Sequence, residues 1–90
     1  MEFEWDESKN KKNMEKHGLD FTDIPLIFDN PILELEDNRM NYGENRFSGI
    51  GILKDIEIAV VYTRRQNKIR IISARRARKD ERQKYRSSYT

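Results

Sequence analysis

The sequence contains no cysteine, so neither a disulfide nor a thiolate metal site can contribute to its stability. This absence fits a reducing, intracellular setting. No stretch approaches the ~20 consecutive apolar residues needed to cross a bilayer. The opening MEFEWDESK also lacks the apolar core of a signal peptide. We therefore expect a cytoplasmic protein.

Glycine and proline are scarce as well, with 4 and 2 residues, and the sequence has no internal repeat, linker or low-complexity segment. Of its 90 residues, 36% are hydrophobic and 38% are charged. The apolar residues occur in short runs typical of strands rather than being spread evenly, which favours a folded chain. We expect residues 1–90 to form a single domain with a small core.

Charge is distributed unevenly along the chain. Between Arg64 and Arg86 there are eleven Lys or Arg against two acids, which gives a formal charge of +9. Because the whole chain carries only +2, residues 1–63 carry −7. A basic segment of this density is typical of a surface that binds nucleic acid or an acidic partner.

Hydrophobic periodicity predicts an α+β fold. The first helix should start after Asp6, end at Gly18 and expose most of its surface, packing through Met14, its only large hydrophobe, and through aliphatic stems. Thr22 or Asp23 should cap a second helix, and a tight turn is expected at Lys54 and Asp55. The predicted elements are a strand at Glu2–Trp5, helices at Glu7–His17 and Phe21–Asp29, strands at Ile32–Asp37, Arg46–Lys54, Glu57–Arg64 and Lys68–Ala74, and a helix at Arg78–Arg86.

The order β-α-α-β-β-β-β-α describes a two-layer domain, with a mainly antiparallel sheet and helices packed on one face. Nine residues are core candidates: Phe3, Trp5, Phe21, Phe28, Phe47, Ile58, Val60, Ile69 and Ile71. The last helix should be weakly capped, since only Asp80 and Glu81 favour its dipole.

A series of short motifs resembles the BrnT family of toxins from bacterial type II toxin–antitoxin systems. In chain order they are FEWDESK, Asn13, KHG, FDNP, YGENR, VVYT, RIISARRA and ERQKY. The resemblance spans nearly the whole chain and implies a RelE-like fold and a ribonuclease activity that blocks translation. It also implies a BrnA-like antitoxin with a ribbon-helix-helix DNA-binding part, and a heterotetramer of two toxins and two antitoxins.

Two positions depart from the family pattern. Arg78 stands where a Ser or Thr would cap the last helix, and the loop before Glu44 contains no histidine. His17 is therefore the one imidazole in the sequence.

RNA can be cleaved without a metal ion when the ribose 2′-hydroxyl attacks the adjacent phosphate, which requires a base, an acid and cations. No Cys or His cluster, Gly-rich phosphate loop or paired-carboxylate motif is present, so we expect no metal and no cofactor. Arginine suits the transition state because its planar fork contacts two phosphate oxygens. The arginine candidates for catalysis are Arg46, Arg64, Arg75 and Arg76.

Strand order predicts which of these arginines meet. Arg64 and Arg75 should lie at opposite ends of the last two strands, because these strands are antiparallel. Arg46 and Arg64 should face each other across the two strands that carry them. The alternative for each arginine is a solvated surface charge.

Glu44 and His17 complete the predicted catalytic set. Glu44 would act as a base, or simply form an ion pair with Arg46. His17 would transfer a proton, or bind the last carbonyls of its helix. Tyr85 would stack on an RNA base, or dock the last helix on the sheet. The predicted RNA-binding residues are Lys9, Lys16, Arg70, Arg78, Lys79, Arg82 and Tyr85.

Two further functions explain the basic segment. One is a non-catalytic module that binds nucleic acid or an acidic protein. The other is an assembly partner that pairs through an exposed strand edge and has lost its toxicity.

Overall fold

A computed structural model of the protein describes residues 2–37 and 46–89. Its elements, in chain order, are strand β1 (Glu2–Glu4), helix α1 (Glu7–His17), a 3₁₀ helix (Phe21–Asp29), strands β2 (Leu33–Asp37), β3 (Arg46–Leu53), β4 (Ile56–Arg65) and β5 (Lys68–Arg76), and helix α2 (Lys79–Tyr89). The strands form one sheet in the order β1-β5-β4-β3-β2. β1 is parallel to β5 and the other pairs are antiparallel. The predicted α+β class and element order are confirmed.

The first two helices cover one face of the sheet, as predicted, and Gly51 in β3 lets the 3₁₀ helix approach closely. A Cβ on Gly51 would lie only 3.3 Å from the Cβ of Ile27. The main core lies between these layers around Tyr62 and Phe21, both fully buried. All nine predicted core residues belong to this core or pack against it.

Helix α1 has its predicted bounds and caps. The Asp6 carboxylate accepts a hydrogen bond from the Ser8 amide at 2.8 Å, and Gly18 ends the helix at φ 69° in the left-handed region. The prediction that α1 packs through Met14 is wrong, since Met14 is 38% exposed while Asn10 and Asn13 are buried. The two asparagines replace an apolar contact with hydrogen bonds to the backbone of neighbouring elements.

Each buried asparagine bonds one backbone amide and one oxygen. Asn10 Oδ1 accepts from the Phe21 amide at 2.8 Å, and its Nδ2 donates to Asp20 Oδ1 at 3.0 Å. Asn13 Oδ1 accepts from the Ala74 amide of β5 at 3.1 Å. These bonds satisfy buried backbone groups that would otherwise cost free energy.

The 3₁₀ helix is capped by Asp20, so the prediction of Thr22 or Asp23 is wrong. The Asp20 carboxylate accepts from the Thr22 amide at 3.0 Å. The side-chain amide of Asn10 donates to the same carboxylate oxygen, which fixes the cap from α1. These hydrogen bonds, the Thr22 amide first, lower the pKa of the partly exposed Asp20 carboxyl.

Helix α2 is held at both ends, and it runs three residues beyond its predicted end at Arg86. At its start, the Glu81 carboxylate accepts from the Arg78 amide at 2.7 Å. At its end, the hydroxyls of Tyr85 and Tyr89 donate to the carbonyls of Pro31 and Ile32 at 2.8 and 2.7 Å. The prediction of a weakly capped helix is therefore wrong.

Alternation along β3 directs Ile50 away from Gly49 and Gly51, and Ile50 forms a second small core with Ala77 and Tyr85. This core attaches α2 to the sheet. None of the helices in the described part of the chain is long and apolar enough to span a membrane.

Candidate active site

The register of β4 and β5 places the candidate arginines at opposite ends of the sheet, as predicted. Arg64 pairs with Ile69 beside the turn between the two strands, whereas Arg75 pairs with Ala59 near the start of α2. We call the end of the sheet that carries Arg64 the turn end, and the end that carries Arg75 the helix end.

At the turn end, the carboxylate of Glu34 binds two donors through one oxygen. Arg64 Nη2 lies 2.7 Å from Glu34 Oε2, and the Tyr62 hydroxyl donates to the same oxygen. The Arg64 guanidinium also lies 5.3 Å from the centre of the Phe47 ring, at cation–π distance. We call Glu34, Phe47, Tyr62 and Arg64 the Glu34 cluster.

Gly49 makes this arrangement sterically possible. It pairs with Glu34 on one side and with Val60 on the other, so it lies between Glu34 and the strand that carries Tyr62. A Cβ on Gly49 would lie 3.0 Å from Tyr62 Cε1 and 3.2 Å from its hydroxyl oxygen. The tyrosine ring therefore crosses β3 over the glycine to reach the carboxylate.

The cluster combines a buried group with exposed ones. Tyr62 is fully buried, whereas the side chains of Arg64 and Glu34 are 52% and 28% exposed. Burial, and then the bond to Glu34, raise the pKa of the Tyr62 hydroxyl far above its usual value. Tyr62 therefore stays a donor, and it fixes the orientation of a carboxylate that solvent and a ligand can reach.

Arg46 lies on the other face of the sheet from this cluster, so the prediction that it faces Arg64 is wrong. Its register partner is Thr63, and neighbouring residues of a strand point to opposite faces. Thr63 also pairs with Arg70 of β5. We call Arg46, Thr63 and Arg70 the Thr63 row. Glu44, the other predicted catalytic residue near Arg46, lies outside the described residues.

At the helix end, Arg75 is fully engaged by Glu81. Its Nη1 and Nη2 lie 2.8 and 2.9 Å from the two carboxylate oxygens, and Nη1 also donates to the Arg76 carbonyl at 3.1 Å. The bond to Arg75 is the main cause that lowers the pKa of Glu81. Arg75 thus braces β5 against α2, while Arg76 beside it is exposed.

Helix α1 places the predicted Lys9, Lys16 and His17 along one groove against β5. The groove has a volume of about 210 Å³ and is also lined by Lys12 and Ser73. Lys9, Lys12 and Lys16 share a helix face because of their three- and four-residue spacing. Lys12 was not among the predicted residues, although the same spacing points to it.

The candidates on α2 divide into docked and exposed residues. Tyr85 is only 5% exposed and packs with Ile50, so it docks the helix on the sheet. Arg82 donates to the Ala77 carbonyl at 2.8 Å. Arg78 and Lys79 are exposed beside the start of the helix.

Sequence reasoning missed Glu34 and Tyr62. The signal for them was Gly49, a glycine inside an apolar strand, since such a glycine often marks close approach by another group. Within residues 2–37 and 46–89, no group of three or more His, Cys, Asp or Glu is arranged to hold a metal ion.

A protein-family model described as "Ribonuclease toxin, BrnT, of type II toxin-antitoxin system" matches residues 5–81 of the 90-residue chain. The match includes the Glu34 cluster, the Thr63 row and the Arg75–Glu81 pair. No curated protein matches the chain.

Proposed function

Because the chain belongs to the BrnT family of ribonuclease toxins of type II toxin–antitoxin systems, we propose that it is an endoribonuclease that cuts RNA without a metal ion. The consequence in the cytoplasm would be a block of translation. The observation that carries the proposal is the Glu34 cluster, which combines a carboxylate base and an arginine at an accessible corner of the sheet.

In this mechanism Glu34 takes the proton of the ribose 2′-hydroxyl as the 2′-oxygen attacks phosphorus. The bond from phosphorus to the 5′-oxygen breaks, and this oxygen leaves with a proton from water. The products are a 2′,3′-cyclic phosphate and a 5′-hydroxyl. Arg64 stabilises the negative charge that grows on the phosphate oxygens. Phe47 and Tyr62 position Arg64 and Glu34.

The remaining predicted cations serve RNA binding in this proposal. Residues from α1, β3 and β5 contribute positive charge around the sheet, and those of α2 extend it towards the helix end. Such contacts attract the phosphate backbone and make affinity fall with salt, because bound counterions are released. These residues are Lys9, Lys16, His17, Arg46, Arg70, Arg76, Arg78, Lys79 and Arg82. Arg75 has a positioning role through α2.

The family supports an antitoxin protein as partner. We propose that this partner is BrnA-like, with a ribbon-helix-helix DNA-binding part, and that two toxins and two antitoxins assemble. Toxicity on expression, relieved by co-expression of the antitoxin, would support this part of the proposal. Growth arrest that the antitoxin leaves unchanged would contradict it.

The test is cleavage of a defined RNA in EDTA. The wild-type protein should release fragments with 2′,3′-cyclic phosphate ends, and Glu34→Gln should lower the rate by about 10²–10⁴-fold, the usual contribution of a general base. Glu2→Gln is the matched control, because Glu2 is an exposed carboxylate that pairs with Lys68 at 3.7 Å. It should leave the rate unchanged.

Two outcomes would contradict the proposal. The non-catalytic binding module would be favoured if RNA stays intact in the presence of the folded protein while its affinity for the protein falls steeply with salt concentration. Cleavage that appears only after a divalent ion is restored would overturn the metal-independent mechanism.

A further inference from the structure

Thr63 has a buried hydroxyl that the described residues do not satisfy. The residue is 1% exposed, and its Oγ1 finds no hydrogen-bond partner within the described residues. Buried polar groups without partners are rare because each costs desolvation free energy. Valine has the same shape without this cost. Packing alone therefore does not explain why position 63 is a threonine.

The neighbours of Thr63 indicate what the hydroxyl binds. Arg46 and Arg70 are its register partners on β3 and β5, so the hydroxyl lies between two guanidinium-bearing side chains on one face. Neighbouring strands lie ~4.8 Å apart, which lets all three side chains contact one group. A hydroxyl donor between two guanidinium groups is suited to bind the oxygens of a phosphate.

We infer that the Thr63 row is a phosphate-binding subsite, which holds a phosphate of the RNA backbone other than the one that is cleaved. The inference rests on the proposed function in that RNA is the ligand. The row lies on the face opposite the Glu34 cluster, since Thr63 is adjacent to Tyr62 and Arg64 in β4. An RNA strand that passes around the turn end of the sheet contacts both.

Ligand access requires the covering side chains to move. Arg70 is partly exposed, and its contact with Glu4 is a 3.7 Å ion pair between half-exposed side chains. Such pairs are weak, so a phosphate competes with Glu4 for Arg70. The Thr63 hydroxyl becomes accessible when the arginine swings towards the ligand.

The test is Thr63→Val, with Thr63→Ser as the matched control, assayed by fluorescence anisotropy with a labelled 2′-O-methyl RNA that cannot be cleaved. Valine should weaken binding about tenfold, the usual effect of losing one hydrogen bond to a charged group. Serine keeps the hydroxyl and should bind nearly as the wild type. The unfolding midpoint of Thr63→Val should equal or exceed that of the wild type, so a misfolded variant cannot explain the loss.

Unchanged affinity in Thr63→Val overturns the subsite, and so does failure of the wild type to bind this RNA. Weaker antitoxin binding with unchanged RNA binding also overturns it, because the row would then serve the protein partner. The binding assay is independent of cleavage, so a subsite confirmed in a protein that cuts no RNA would separate this inference from the proposed function.

Discussion

The two ends of the β4–β5 hairpin each carry an arginine paired with a glutamate, but the pairs differ in geometry and exposure. Arg64 gives Glu34 one bond at 2.7 Å, and the side chains are 52% and 28% exposed. Arg75 gives Glu81 two bonds at 2.8 and 2.9 Å, and the side chains are 31% and 17% exposed. Arg64 can still bind a ligand, whereas the guanidinium of Arg75 stabilises the fold.

The difference follows from what each pair joins. Glu81 lies six residues after Arg75, at the start of the helix that β5 leads into, so the pair fixes a local junction. Glu34 lies 30 residues before Arg64, on the edge strand β2, and the contact spans β3. Contacts that reach across a sheet to an open edge are well placed for ligands, because part of each group remains in solvent.

The largest expected effect separates the two arginines by activity. Arg64→Ala should lower the cleavage rate by about 10²–10³-fold, the cost of losing a donor to the transition state. Its unfolding free energy should change by no more than ~1 kcal/mol, since the pair is exposed. Initial cleavage rates and urea denaturation of the same preparation measure both quantities.

Arg75→Ala is the matched variant and should show the reverse. Its unfolding free energy should fall by about 2–3 kcal/mol, because Glu81 loses a bidentate partner in a partly buried position. Cleavage by the folded fraction should change little. Equal losses of rate in the two variants would remove the distinction between the ends of the sheet.

Much of the fold could be predicted because local signals agree with it. Asp6, the helix pattern and Gly18 fixed the bounds of α1, and the alternation of β4 and β5 placed Arg64 and Arg75 at opposite ends. The cap of the 3₁₀ helix was missed because Asp20 is held by Asn10 of α1, a contact that periodicity does not report. The bond of Glu81 to the Arg78 amide was missed because the charge of an acid near a helix start does not show which backbone amide it binds.

The candidate site was less predictable, because it depends on register across strands. Glu34, in the strand sequence LELED, gave no sign that Tyr62 and Arg64 would both bind it. The error over Arg46 arose from a shift of one residue, which places a side chain on the opposite face. Charge density identified the basic segment but could not show which cations would be paired.

Tyr62→Phe sharpens the comparison by removing one hydroxyl from the turn end. Glu34 then keeps Arg64 but loses a buried donor, so its orientation is less fixed. We expect the cleavage rate to fall about tenfold and the unfolding free energy to fall by ~1 kcal/mol, as for one hydrogen bond. The pKa of Tyr62 is raised, so its hydroxyl should stay protonated up to at least pH 10. The wild type should therefore keep the contribution of this hydroxyl to the cleavage rate over that range.

Tyr89→Phe is the control from the other end. Its hydroxyl donates to the carbonyl of Ile32, a residue outside the Glu34 cluster, at 2.7 Å. The variant should lose similar or less stability and keep the wild-type cleavage rate. If both phenylalanine variants slow cleavage equally, the effect of Tyr62 is general loosening of the sheet rather than support of Glu34.

The smallest expected effect is the pH dependence of the helix end. The pKa of Glu81 is lowered in the folded protein, first by its bond to Arg75 and against the opposing effect of burial. Its stabilisation is therefore complete at pH values above the unfolded pKa, near 4.5, and disappears as the pH falls through the lower folded value. Glu81→Gln lacks this contribution at every pH.

The difference in unfolding free energy between wild type and Glu81→Gln should thus be about 1–2 kcal/mol at pH 7 and should shrink below pH ~4. Asp6 and Asp20 also have lowered pKa values. Both proteins share them, so their effect cancels in the difference. Urea denaturation at a series of pH values measures the curve. A difference that stays constant down to pH ~2 would mean that packing rather than charge holds Arg75, and the helix end would then differ from the turn end only in burial.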